Sequence, residues 1–301
     1  MKQQKARSNL DKTIKYIMVI IILAVFIFFA ALFIMLLQRS QLILSRYPVW
    51  ELLFSSEWDP NKGLYGFLPA VTGTFFVTVF SLMIAVPISI LSAVYISEYM
   101  PSAVKSYFQA FIDVLAGVPS VVFGLCALLV LVPFTRDVMG PLFGVNTTGM
   151  CVFTAALVLA AMVFPVIISL TVESLSILPI GLREQFLSLG ATKWQLIETV
   201  LFRAAGPGII SGIILGFGRA FGETMAVVMV IGNKNILIPS VFSPGQTLPG
   251  LIVGSFSEMM SVPEHQSALI FVSLILFIIV LFFNILANII KNKLKSRWRY
   301  E

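Results

Sequence analysis

The sequence is poor in histidine, cysteine and charged residues. Its one histidine, His265, excludes a histidine-based metal cluster. The two cysteines, Cys126 and Cys151, lie in apolar runs, which indicates small buried side chains rather than a disulfide framework. Only 11% of the 301 residues are charged, whereas soluble domains carry roughly 25%. With 58% hydrophobic residues and a mean hydropathy of +0.99, the composition predicts an integral membrane protein.

The chain also lacks the usual signals of an enzyme. No G-x-x-x-x-G-K-[ST] loop occurs, so there is no visible site for ATP. One histidine, no cysteine cluster and few acids inside the apolar runs leave little from which to build a catalytic centre. We therefore expect no catalytic residue, no metal site and no cofactor bound by this chain.

What the sequence has in abundance is long apolar runs. A helix needs about 20 mostly apolar residues to cross the hydrocarbon core of a bilayer. Six runs are long enough: Ile14–Leu37, Phe67–Ile96, Phe108–Val132, Gly149–Leu170, Ala205–Gly232 and Ser267–Ile290. The prediction is an all-α, polytopic membrane protein with six transmembrane helices.

The placement of basic residues predicts the orientation. Six crossings put both tails on one side, and that side receives fourteen of the twenty Lys and Arg residues, against five on the other. Because positive charge is enriched in cytoplasmic segments, both termini are predicted to be cytoplasmic. Anionic lipid headgroups explain the basic tails better than nucleic acid does.

These predictions divide the chain into segments without a soluble domain. Residues 1–45 form an amino-terminal tail and first helix, residues 46–66 an extracytoplasmic loop, and residues 67–290 the transmembrane core. The core contains a cytoplasmic loop at 171–204, and a basic cytoplasmic tail follows at 291–301.

An arginine and a glutamate stand four residues apart inside the fifth apolar run. On a helix through Ala205–Gly232, Arg219 and Glu223 share a face with a ladder of small residues that allow close helix packing, namely Gly208, Gly212 and Gly216. Charges inside a membrane face a bundle interior or a cavity. The pair fits an internal salt bridge, or a polar site on the path of an anion such as phosphate, sulfate or a carboxylate. We favour the transport path, because a buried ion pair adds little net stability.

The predicted cytoplasmic loop reads as a short helix, a glycine break and a second helix. The first helix runs over 183–190 with Phe186 and Leu189 on an apolar side, and Gly190 ends it. Thr192 then caps a helix through Trp194. Such an elbow either rests on lipid or docks a cytoplasmic partner, and the residues alone leave both open.

The same loop resembles the EAA motif of permease subunits of ATP-binding-cassette importers. The match begins at Glu184, with Gly190 six residues later, in EQFLSLGATKW. Two features differ from the motif: Gln185 and Phe186 replace its alanines, and Arg203 stands where related permeases often have a proline. The resemblance implies that the loop couples to an ATPase through Glu184, Gly190, Ala191, Thr192 and Trp194.

Three further stretches narrow the resemblance to PstC-type permeases of phosphate importers. They are WDPNKGLYGFLPAVTGT at 58–74, DVLAGVPSVVFGL at 113–125 and GRAFGETMAVVMVIGN at 218–233. The resemblance covers about residues 45–290 and implies a type I importer fold. It also implies a substrate path at Arg219 and Glu223, along which phosphate moves.

A set of partners follows from the resemblance. It implies a PstA-like second permease, two copies of an ATP-binding subunit that use ATP and Mg, and an extracytoplasmic phosphate-binding protein. The alternatives are a permease for another oxyanion, such as sulfate or molybdate, and a secondary anion transporter that works without ATPases.

Overall fold

The chain folds almost entirely into helices. The computed structural model describes residues 2–259 and 261–297, so Met1, Met260 and the end of the predicted basic tail, 298–301, lie outside the description. The helices are, in chain order, α1 (Lys2–Arg46), α2 (Val49–Phe54), α3 (Leu68–Val94), α4 (Ser102–Gly117), α5 (Ser120–Leu129), α6 (Leu131–Phe134), α7 (Gly140–Leu142), α8 (Val152–Ser176), α9 (Ile180–Ser188), α10 (Lys193–Leu196), α11 (Phe202–Gly222), α12 (Met225–Val228), α13 (Leu248–Met259) and α14 (Pro263–Arg297).

Short irregular elements join these helices. Strands β1 (Trp58–Asp59) and β2 (Leu64–Tyr65) form a small antiparallel hairpin around a 3₁₀ turn at Pro60–Lys62. Widened π-helical turns follow α3, α6 and α10, at Tyr95–Tyr99, Thr135–Met139 and Ile197–Leu201. Among the described residues, five helical runs are long and apolar enough to cross a membrane, and the number is up to six if a bent pair counts as one span. The predicted all-α, polytopic fold is confirmed.

The bent pair corrects the third predicted span. The apolar run Phe108–Val132 predicts one transmembrane helix, but two helices, α4 and α5, meet there at 90°. Val118 is extended (φ −64°, ψ 129°) and Pro119 follows it. A proline disfavours helical geometry in the residue before it and cannot donate its own backbone hydrogen bond, so the helix breaks here.

The fifth span also differs from its predicted form. The helix over Ala205–Gly232 is wrong at both ends, because the helical run begins at Lys193 and α11 stops at Gly222. Glycine is a weak helix former, and the next residue, Glu223, is extended (φ −70°, ψ 129°). The chain restarts as the short helix α12.

Four apolar clusters pack the described residues together, and the two smaller ones lie at the predicted cytoplasmic ends of the helices, around Leu175 and Leu201 and around Ile96 and Ile112. The largest one joins α3, α5, α8, the end of α11 and α12, with fully buried residues such as Leu159, Met162 and Ile231. The second lies at the predicted extracytoplasmic end, which we call the outer end. It joins the end of α1, the β-hairpin and the starts of α3, α13 and α14 around Ile43, Phe67 and Leu248.

Polar contacts fasten α1 to α14 at the outer end. The Ser267 hydroxyl donates to the Arg39 carbonyl at 2.9 Å and accepts from the Ile43 amide at 3.1 Å. Arg46 pairs with Glu264 close by. The first and last long helices are therefore joined where they leave the predicted membrane region.

Candidate functional site

The glycine ladder of α11 lies against α8. A Cβ at Gly208 would sit 1.9 Å from the Ser174 Oγ, and one at Gly216 would sit 2.8 Å from a methyl of Val163. At Gly212 the corresponding distance is 3.2 Å, to the Cβ of Leu170. The two helices therefore approach too closely for any larger residue at 208 or 216 without a shift.

Arg219 lies in a groove between α8, α11 and α14. The groove has a volume of about 720 Å³. Its lining residues are Val166, Leu170, Ser211, Ile214, Leu215, Gly218, Arg219, Val280, Asn284, Asn288 and Lys291. Arg219 is half-buried, and within the described residues its guanidinium makes no hydrogen bond or ion pair. A fixed positive charge is thus available to a ligand in a mostly apolar groove.

Glu223 does not partner Arg219 as predicted. Because α11 ends at Gly222, the two residues do not share a helical face, and no ion pair joins them. The Glu223 carboxylate instead accepts a long hydrogen bond, at 3.4 Å, from the amide of Ala226 in the first turn of α12. Glu223 is also absent from the lining of the Arg219 groove. The alternative of an internal salt bridge is not found, and the favoured role of Glu223 on the substrate path stays a prediction.

The groove contains polar residues that sequence reasoning missed. Asn284, Asn288 and Lys291 follow one face of α14 and line the groove together with Arg219. The signal was present in the sequence, since polar residues at i, i+4 and i+7 in the last span mark one helical face. Because the predicted span ends at Ile290, Lys291 falls in the predicted tail, which separates it from the two asparagines.

The elbow at the predicted cytoplasmic end, which we call the inner end, has the predicted helix–glycine–helix form. α9 ends at Ser188, and Gly190 has a φ of +84°, which favours glycine. Thr192 begins α10 with a complete capping box: its hydroxyl accepts from the Gln195 amide at 3.2 Å, and the Gln195 side chain accepts from the Thr192 amide at 2.8 Å. The predicted glycine break and cap are confirmed.

The predicted coupling residues lie at the surface of this elbow. Glu184, Gly190, Thr192 and Trp194 are exposed, and Ala191 is half-buried. Exposed apolar side chains surround them, among them Ile180 and Leu189. The elbow therefore offers an accessible surface, and a role in ATPase coupling stays a prediction.

Arg183, whose role the sequence analysis also missed, anchors the elbow to the bundle. It lies on α9 and pairs with Glu98, in the π-helical turn after α3, at 2.9 Å. The same guanidinium donates to the carbonyls of Leu175 and Leu178 at the end of α8, each at 2.7 Å. Both charged side chains are largely buried, with 19% and 11% exposed. One residue thus ties α9 to the inner ends of two core helices.

The elbow and the groove share one helical run. From Lys193 the chain stays helical to Gly222 over 30 residues, so α10 and Arg219 belong to one continuous helical run. Lys193 also places its ammonium over the Tyr99 ring at 5.5 Å, next to Glu98. The elbow is thus continuous with the helix that presents Arg219 and contacts the π-helical turn after α3.

The resolved pKa shifts lie at the outer end, away from the groove. Burial raises the pKa of Tyr65 to about 12, with a smaller contribution from Glu264. A hydrogen bond from Lys62 lowers the pKa of Asp59, and one from Arg136 lowers the pKa of Asp137. These exposed ion pairs stay charged at neutral pH and give the outer surface a fixed pattern of charge.

Comparison with known proteins gives the family. A sequence profile of the binding-protein-dependent transport system inner membrane component matches residues 85–300, a range that contains both the elbow and the groove. The chain belongs to this family. It is therefore a multi-pass membrane subunit of an ABC transporter, works with the other subunits of that transporter, and is not itself an enzyme.

Curated relatives match over most of their length. A probable ABC transporter permease protein YqgH of Bacillus subtilis is 36% identical, over 81% of this chain and 78% of the relative. The phosphate transport system permease protein PstC of Xylella fastidiosa (strain Temecula1) is 34% identical, over 81% and 79%. PstC of Haemophilus influenzae is 33% identical, over 91% and 90%.

Solved structures show the same fold. A methionine ABC transporter, MetNI, in an inward-facing conformation matches with a TM-score of 0.55 and 21% identity, over 79% of this chain and 99% of that chain. A bacterial ABC transporter involved in import of the acidic polysaccharide alginate matches with a TM-score of 0.55 and 16% identity, over 79% and 86%. The fold is that of an ABC importer permease.

Proposed function

We propose that this chain is a permease subunit of an ATP-driven importer of inorganic phosphate. The observation that carries the proposal is Arg219, an unpaired guanidinium in a groove of an importer permease. An arginine presents a fork of donors that matches tetrahedral oxyanions. Relatives named as phosphate transport permeases favour phosphate over sulfate or molybdate. Membership of this ABC transporter family excludes the alternative of a secondary transporter that works without ATPases.

The transporter would be assembled from partners of defined kinds. A PstA-like permease would supply the second half of the path, and an extracytoplasmic binding protein would deliver phosphate at the outer end. Two ATPase subunits, which use ATP and Mg, would dock against the exposed elbow around Gly190 and Trp194. ATP binding would move the elbow, and the helical run Lys193–Gly222 would transmit that movement to the groove.

Arg219 would hold the anion only transiently. A transport site has to attract its substrate and then release it, so neither very weak nor very tight binding serves. Arg219 meets this requirement because it is half-buried and lies in an open groove rather than a closed cavity. Movement of α11 would then change the access of the groove from one side of the membrane to the other.

Uptake of labelled phosphate tests the proposal. The complete transporter is expressed in cells that lack other high-affinity phosphate uptake, with and without this chain, and sulfate uptake is measured in parallel. We expect phosphate uptake at micromolar concentration to depend on the chain and sulfate uptake to be indifferent to it. Unchanged phosphate uptake without the chain would refute the assignment of phosphate.

A further inference from the structure

The carboxy-terminal half of α14 carries a polar stripe, formed by Asn284, Asn288 and Lys291. These residues repeat at intervals of four and three, so they follow one face of the helix, about 5–6 Å apart along its axis. Apart from the two asparagines, residues 281–290 are apolar, and the exposed ones include Ile285, Leu286 and Ile289. The stripe is the polar face of a helix that is long and apolar enough to span a membrane.

The side chains of this stripe have spare hydrogen-bonding capacity. The Asn284 amide donates one hydrogen bond, to the Val280 carbonyl at 2.8 Å, which leaves its oxygen and second N–H free. Asn288 makes no hydrogen bond within the described residues, and both asparagines are exposed on this chain. Polar groups inside a membrane are costly unless they face other polar groups or a water-filled cavity. The groove that they share with Arg219 supplies such a cavity.

We infer that the stripe is a second anion site, which receives an oxyanion from Arg219 and passes it to the inner end through Lys291. This inference rests on the proposed transport function and adds the inner half of the path. Amide N–H groups donate to oxyanions without fixing them by charge, and the Lys291 ammonium attracts the anion toward the predicted cytoplasmic end. The path would thus run from the Arg219 guanidinium past the two asparagines to the Lys291 ammonium. Asn284 and Lys291 are about 10 Å apart along the axis of α14.

A pair of matched lysine variants provides the first test. Lys291→Gln removes a charge that lines the groove, whereas Lys293→Gln removes the same charge from the same helix at a position outside the groove lining. Both variants remove one positive charge from the basic flank of α14, so an effect of that charge on membrane insertion would appear in both. We expect Lys291→Gln to lower phosphate uptake about threefold to tenfold, in keeping with a partly solvated charge, and Lys293→Gln to transport as the parent does. Equal uptake by the two variants would overturn the inference.

A binding measurement separates this inference from the choice of substrate. Asn288→Cys is introduced after Cys126→Ala and Cys151→Ala, and the rate of maleimide labelling is measured for the complete transporter in vesicles, with inorganic phosphate, sulfate or chloride at equal ionic strength. Slower labelling in phosphate supports both proposals. Slower labelling in sulfate alone supports the stripe and overturns the assignment of phosphate. Labelling that no oxyanion slows overturns the stripe.

Two further readouts exclude other uses of these polar groups. If Lys291 binds anionic lipid headgroups instead, the Lys291→Gln defect will disappear in vesicles of phosphatidylcholine alone, and the inference fails. If the asparagines hold the second permease instead, Asn288→Leu will reduce co-purification of the complex, which also refutes it. A transport defect that persists in both lipid compositions, with intact assembly, is the expected result.

Discussion

Arg219 and Arg183 carry the same guanidinium but are held in opposite ways. Arg183 lies in the inner elbow, outside the long helices, and is satisfied by Glu98 and by two carbonyls at the end of α8. Arg219 lies near the end of α11, within a predicted span, and has no partner among the described residues. The more hydrophobic location thus contains the less satisfied charge.

The difference separates structural anchoring from ligand binding. A largely buried charge is tolerated when hydrogen bonds occupy its donors, and such a charge fixes the elements that it joins. An unpaired charge in a groove keeps its donors free for a ligand that comes and goes. The elbow and the groove are therefore expected to respond differently to mutation, in coupling and assembly on one side and in transport on the other.

The largest effect is expected at Arg219. Arg219→Gln removes the charge that attracts the anion, and losing charge-assisted hydrogen bonds should lower phosphate uptake about 10- to 100-fold. Because no partner in this chain is lost, the complex should still co-purify with its ATPases. Arg219→Lys is the matched control and should keep part of the activity. Normal uptake by the glutamine variant would show that Arg219 does not bind the anion and has a structural role, as Arg183 does.

Arg183→Gln should mainly damage assembly and coupling. The change leaves the largely buried Glu98 carboxylate without its ion-pair partner and removes the donors to the Leu175 carbonyl, in the last turn of α8, and to the Leu178 carbonyl just after it, a loss of about 2–4 kcal/mol in local stability. We expect a loosened elbow, seen as faster proteolysis near α9 and as ATPase activity that no longer responds to the binding protein.

A charge swap sharpens this result. Arg183→Glu combined with Glu98→Arg restores an ion pair, but a carboxylate at 183 cannot donate to the Leu175 and Leu178 carbonyls. The double variant should therefore stay uncoupled. Full recovery of coupling would show that the ion pair alone is enough to hold the elbow to the bundle.

At Gly190 the backbone conformation decides which substitutions are tolerated. No heavy atom lies within 4 Å of a Cβ built there, so the φ of +84°, and not crowding, restricts the residue. Gly190→Val should destabilise the elbow by about 1–2 kcal/mol and weaken ATPase attachment, because a β-branched residue resists this conformation. Gly190→Asn should be milder, since asparagine visits the left-handed region. Co-purification of the ATPases measures both, and equal effects would point to a docking contact of the glycine itself.

The smallest effect is expected at the cap of α10. Thr192→Ala removes the hydroxyl that accepts from the Gln195 amide, at a cost of about 1 kcal/mol. The resulting fraying of the first turn should slow coupling slightly without affecting anion binding in the groove. Thr192→Ser keeps the hydroxyl and should behave as the parent does. A transport defect with normal ATPase coupling would contradict the division between elbow and groove.

Local sequence signals predicted the elbow better than the groove. The glycine break and the cap depend on residues within a few positions of each other, and both were predicted correctly. The shared helical face of Arg219 and Glu223 was wrong because it assumed a continuous helix, and one residue of extended backbone after Gly222 separates the two side chains. The break at Pro119 has a local cause, but its 90° angle depends on how α4 and α5 pack.

The sequence by itself determined the membrane character, the approximate positions of the helical spans, the close-packing glycines and the elbow, because composition, periodicity and backbone preference act over short distances. Tertiary structure alone decided which charges are paired. Glu98 meets Arg183 from 85 positions away, and Lys291 shares a groove with Arg219 across 72 positions. Such meetings follow from the packing of α3, α8, α11 and α14 as a bundle, for which no single segment carries a signal.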